Sequence, residues 1–147
     1  MPTFDHDYAE GLIKRLRGQN STIPSNTASK TRLAHHLTRT LQYSRGRGPH
    51  VPDSSSWFSR GLLKPLVLMR LLPVVEVFSD VCEDLSPPAD ESAALEHLAD
   101  ELHLYLALVQ ADEFMPAAHP YLGPFSIDDW ARWHVAHFEH HLNFANR

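Results

Sequence analysis

The chain has 147 residues, 43% hydrophobic and 21% charged, with a formal net charge of −5. That is a single domain over residues 1–147, long enough to bury about two-thirds of its unfolded surface, and its charge gives no general attraction to nucleic acid. Cys82 is the single cysteine, so an internal disulfide is excluded; with no charged, apolar and cleavage-site leader opening the chain, a reducing, cytoplasmic compartment is expected.

From Asp7 to Arg17, Tyr8, Leu12, Ile13 and Leu16 recur at helical spacing behind Asp5 or Asp7 as a cap, and Gly18 stops the run. Gln19 to Ser29 reads as a polar loop, with Thr27 or Ser29 available to cap a second helix over about Lys30 to Ser44. The apolar side of that helix carries Leu33, His36 or Leu37, Thr40, Leu41 and Tyr43 or Ser44, so one of the paired His35 and His36 falls on it, and His36 fits better. Gly46, Gly48, Pro49, Pro52 and three consecutive serines make a long connection with local positive charge from Arg45, Arg47 and His50, read first as a solvated crossover and second as an anion site.

A third segment, Ser59 to about Glu83, is helical but interrupted by Pro65 and Pro73, which predicts two short pieces or one bent helix. Its charges and prolines break up any membrane span, and Cys82 near its end reads as a small core residue. Ser86-Pro87-Pro88 stops the chain, and Asp90 or Ser92 opens a helix from Glu91 to about Ala111 with a stripe of Leu95, Leu98, Leu102, Tyr105 or Leu106 and Val109. Glu96, Asp100, Glu101 and His103 lie largely off that stripe, and His97 and His103 read as surface residues. After an irregular loop from Pro116 to Pro124, Ser126 and Asp129 form a capping box that opens the last helix. No alternating strand pattern reaches five residues. The class is therefore all-α: a four-helix bundle with a long crossover connection and a kinked additional helical segment.

The last helix is the most informative. His134, His137, His140 and His141 stand within eight residues, and the apolar stripe through Ile127, Trp130, His134, His137 or Phe138, His141 or Leu142 and Ala145 passes through them. Histidines facing a core need partners for both ring nitrogens, and a metal on one with a hydrogen bond on the other supplies them. The interleaved Trp, Phe and Glu set the segment apart from an expression-tag remnant; a solvated His-rich C-terminal turn is the plainer alternative. His137 and His141, four residues apart, are one helical turn from each other. With His36 from the second helix they make three imidazoles, a set that leaves coordination positions open for water or substrate. Adjacent histidines leave the ligand choice open by one residue, His35 or His36 and His140 or His141, and register favours the second of each pair. His134 is a fourth ligand, a proton carrier or a core histidine; as the carrier it is the candidate catalytic residue. Tyr43, His119, Trp130 and Trp133 are candidates for the pocket wall, with plain core packing as the alternative for the tryptophans.

Three places in the chain resemble one family. Leu33 to Ser44 places a histidine seven residues before an aromatic and a serine; His119-Pro120-Tyr121-Leu122-Gly123-Pro124 resembles an HPxxG segment; and Trp130 followed by His134, His137, His140 and His141 resembles a W…HxxHxxHH ending. Together they are similar to a domain-of-unknown-function subgroup of the DinB-like four-helix-bundle metalloproteins. The resemblance implies a divalent metal ion (Zn, Ni or Fe) held by His36, His137 and His141, a cytosolic and often dimeric protein, and relatives that are thiol-dependent transferases or isomerases. The function expected is that of a metal-dependent enzyme activating water or a low-molecular-weight thiol against a small molecule, as an S-transferase or hydrolase. The alternative is a noncatalytic, metal-stabilised, stress-associated bundle whose apolar third segment forms a homodimer surface. Neither a nucleic acid nor a membrane is an expected partner.

Overall fold

The computed structural model describes residues 2–18, 27–48, 51–72 and 90–144, with residues 27–29, 143 and 144 described by their backbone alone. Among the described residues every regular element is helical, and the one strand-like pairing is an isolated bridge between His119 and Gly123.

The first helix, α1 (His6–Arg17), is capped by Asp5, whose Oδ1 accepts the Tyr8 N–H at 2.9 Å. It buries Ala9, Leu12, Ile13 and Leu16. The second, α2 (Thr27–Ser44), begins earlier than the sequence suggests, so Ser29 lies inside the helix and does not cap it. Its hydroxyl residues Thr38, Thr40 and Ser44 are buried with each Oγ donating to a carbonyl three or four residues back, which lets polar side chains sit in a core at little cost.

Among the described residues the third segment forms two short helical pieces. A π-helical turn, Ser59–Leu63, precedes α3 (Lys64–Leu68), and the Lys64 N–H reaches back to the Ser59 carbonyl. Pro65 has no N–H and its ring crowds the carbonyl one turn earlier; the wider turn accommodates both. A Schellman motif ends α3: Leu71 N–H donates to Leu66 O, Arg70 N–H to Val67 O, and Arg70 has φ 61°. The expected continuation through Pro73, Cys82 and Ser86-Pro87-Pro88 lies outside the described residues.

Asp90 caps α4 (Glu91–Gln110) by accepting the Ala93 N–H at 2.7 Å. This helix buries Ala94, Leu95, Leu98, Leu102, Tyr105 and Leu106. It also buries Glu101, although that residue lies largely off the apolar stripe: its carboxylate is paired with Arg45 at 2.6 Å, so the charge is neutralised where α4 meets the end of α2. The capping box of α5 (Ile127–Phe144) forms as expected, Ser126 N–H donating to Asp129 Oδ2 and Asp129 N–H to Ser126 Oγ.

α1 and α2 both pack on α4, and α5 packs on α2 and α3. The core centres on Trp130, Trp133 and Phe138 of α5 with Leu37 and Leu41 of α2 and Leu98, Leu102 and Tyr105 of α4. No helix among the described residues is long and apolar enough to cross a membrane.

Candidate metal centre

The contact between α2 and α5 brings His36, His137 and His141 together. The Nε2 atom of His137 stands 3.1 Å from His36 Nε2 and 3.0 Å from His141 Nε2, and one ligand atom from each of the three residues lies within 4.8 Å of the others. The rings meet edge to face: centroids are 5.0 Å apart for His36 and His137, 4.6 Å for His137 and His141, and 4.9 Å for His36 and His141. His137 is buried, its ring stacked on Trp133 at 4.5 Å with 22° between planes, while His36 and His141 are half-buried. The i, i+4 spacing on α5 produces the pair, and the register of α2 turns His36 onto the same point.

One imidazole nitrogen can donate one in-plane hydrogen bond or accept one. His137 Nε2 therefore cannot satisfy two neighbouring Nε2 atoms by hydrogen bonding alone, whereas a shared cation would engage all three. The spacing agrees with that. Nitrogens about 2.0–2.1 Å from a common ion stand about 2.9 Å apart in octahedral and about 3.4 Å apart in tetrahedral geometry, and the two contacts of His137 fall within this range.

The electrostatics also suit a cation ligand. Burial, followed by the neighbouring His141 and His35, pushes His36 down to about 4. Burial and then His36 and His141 push His137 well below the usual imidazole range. Both rings are neutral at pH 7, the form in which imidazole binds metal. Among the described residues no carboxylate joins the cluster. Glu139 turns away to α1, where it accepts from Arg15 Nη1 at 2.7 Å and from the Tyr8 hydroxyl at 3.0 Å.

The remaining candidates divide into two groups. Tyr43 and His119 line a cleft of about 190 Å³ together with Gly46, Arg47, Gly48, Val51, Asp53 and Ala117 to Pro120. None of the three clustered histidines lines it. His119 organises its own turn: Nδ1 accepts the Tyr121 and Leu122 N–H groups at 3.1 Å each, and burial pushes the ring down to about 3. Trp130 and Trp133 do not line that cleft. Trp130 donates to the Ala117 carbonyl at 2.7 Å, and Trp133 stands between His137 and His119, 5.4 Å from the latter.

His134 lies one turn before the cluster, in a box made by Phe4, Tyr105, Trp130, Trp133 and Phe138, with 0% exposure. Among the described residues neither of its ring nitrogens has a hydrogen-bond partner. Phe4, which closes this box, went unread in the sequence because it precedes α1. The available signal was its place immediately before the capping Asp5, the position of a hydrophobic staple. Arg45 and Glu101 went unread as a pair because 56 residues separate them. Comparisons of the chain with known protein families, with curated proteins and with solved structures find no match.

Proposed function

We propose that the protein is a metal-dependent enzyme in which His36, His137 and His141 hold a divalent ion. The observation that carries the reading is the convergence of three imidazoles from two helices, with His137 Nε2 at 3.1 Å from His36 Nε2 and 3.0 Å from His141 Nε2, the separations of donors on one ion. Three protein ligands leave positions for exchangeable water or substrate, and the ion would there lower the pKa of a bound water or hold a low-molecular-weight thiol as thiolate.

The residues of the chain have separate tasks in this reading. Trp133 fixes the plane of His137 by stacking and shields it on one side. His36 and His141, each half-buried, form the edge at which a small molecule would approach. His134 is a positioning residue, stacked between Trp130 and Phe138 on the inner face of α5. A histidine on the second long helix and an i, i+4 pair on the last also support placing the chain among DinB-like bundles. Zn, Ni and Fe all accept imidazole, and the donor set does not choose between them.

The test is cobalt substitution followed by titration with a small thiol. A ligand-to-metal charge-transfer band that grows with thiol and disappears in His137→Ala supports an accessible coordination position. A spectrum unchanged by thiol or by azide would mean a closed site and would favour the second reading, a noncatalytic metal-stabilised bundle. A specific observation motivates that second reading: Trp57, Phe58, Leu62, Met69, Leu71 and Leu72 are exposed along one short stretch, an apolar surface suited to a second copy of the chain.

A further inference from the structure

A second set of metal-binding side chains lies where α1 packs on α4, on elements that contribute nothing to the cluster on α2 and α5. His6 and Glu10 are four residues apart on α1, so their Cβ atoms stand about 6 Å from each other on one face. His103 reaches the same face from α4: its Nε2 is 3.1 Å from Glu10 Oε1, and its ring lies 6.4 Å from that of His6 with 32° between planes. All three residues are exposed.

From this juxtaposition we infer that His6, Glu10 and His103 form a second binding site for a divalent transition metal, one that fastens α1 to α4. Two imidazoles and a carboxylate are the donors of Zn²⁺, Ni²⁺ and Cu²⁺ sites, and differ from the all-oxygen sets that select Ca²⁺ or Mg²⁺. The Glu10–His103 contact already has the separation of two donors on one ion, about 2.9–3.4 Å by the coordination distances used above. The ligand atoms of His6 do not yet meet the other two, since among the described residues only His36, His137 and His141 gather as three within 4.8 Å of one another; rotation of His6 about its side-chain bonds on the exposed helix surface would complete the set. Because exposed side chains must be ordered on binding, this site is weaker than the one on α2 and α5.

The experiment is a calorimetric titration of the tag-free, metal-stripped full chain with Zn²⁺, in wild type and in the triple variant His36→Ala/His137→Ala/His141→Ala. The expected result is two equivalents in wild type and one in the triple variant, with His103→Ala or His6→Ala weakening the remaining equivalent at least tenfold in either background. Should the triple variant fail to fold, substoichiometric Cu²⁺ in wild type is expected to broaden the His6 and His103 ring resonances, and His103→Ala to abolish the broadening at His6. Zinc is also expected to slow amide exchange in α1. An equivalent kept by the triple variant and lost with His103→Ala supports this site whatever becomes of the one on α2 and α5. The inference is overturned by a second equivalent that is absent, or by one that His6→Ala and His103→Ala leave unchanged.

Discussion

Removing the Arg45 guanidinium tests whether the link between α2 and α4 is a buried interaction or a surface ornament. Arg45 Nε and Nη2 stand 2.6 and 3.3 Å from the two oxygens of Glu101, and Glu101 is only 7% exposed. In Arg45→Ala that carboxylate keeps its burial and loses its counter-charge; Gln42 Nε2 at 3.5 Å is a poor substitute. Breaking one partner out of a buried pair costs about 3–5 kcal/mol, whereas an exposed pair is worth about 0.2–1 kcal/mol. At about 2–4 °C per kcal/mol for a chain of this size, the melting temperature is expected to fall by roughly 6–20 °C. Urea unfolding of Arg45→Ala, Glu101→Leu and the double variant Arg45→Ala/Glu101→Leu would measure this as a cycle, with much of the loss recovered in the double variant because no charge is then left buried. A loss below about 1 kcal/mol in Arg45→Ala would refute the reasoning, since the pair would then be behaving as if solvated.

Three further outcomes follow from the core and its turns. Burial pushes His119 and His134 from 6.5 to about 3, so the unfolded chain takes up protons below pH 6.5 that the folded chain refuses. Their stabilisation is therefore complete above pH 6.5 and falls by about 1.4 kcal/mol per pH unit per histidine on the way down; urea midpoints of metal-free protein that stay level from pH 6.5 to 4.5 would contradict this. His134→Phe replaces two unpartnered nitrogens by carbon inside an aromatic box and is expected to change stability by less than about 2 kcal/mol, from removed polar burial set against added volume, with metal content unchanged. A larger loss in denaturant unfolding would mean that the imidazole is hydrogen-bonded. Gly123 has φ 81°, and a Cβ there would stand 2.7 Å from Arg60 Cγ; Gly123→Ala is expected to cost about 1–2 kcal/mol, and an unchanged melting curve would show that the turn relaxes freely.

What the sequence makes legible is chiefly local. The caps Asp5 and Asp90 and the Ser126–Asp129 box depend on residues within one turn, and each forms in the structure. The three-histidine cluster was readable for a related reason: the i, i+4 step fixes His137 and His141 on one face, and the stripe of α2 brings His36 to them, with His35 near Arg39 and His97. Glu101 was not readable, because its burial depends on an arginine in another helix. The surroundings of His134 were not readable either. Helical spacing puts it in line with His137 and His141, but the aromatic box around it draws on Phe4 and Tyr105 from elsewhere in the chain, and periodicity along one helix carries no trace of them.

The central claim is that α2 and α5 together hold a metal ion. Elemental analysis of tag-free protein after reconstitution with Zn²⁺ or Ni²⁺ and removal of loosely held ion, wild type beside His36→Ala and His137→Ala/His141→Ala, addresses it most directly. The account predicts close to one tightly held equivalent in the wild type and its loss from both variants, because each removes at least one of three converging ligands. A wild-type chain that retains no metal, or variants that retain as much as the wild type, would contradict it.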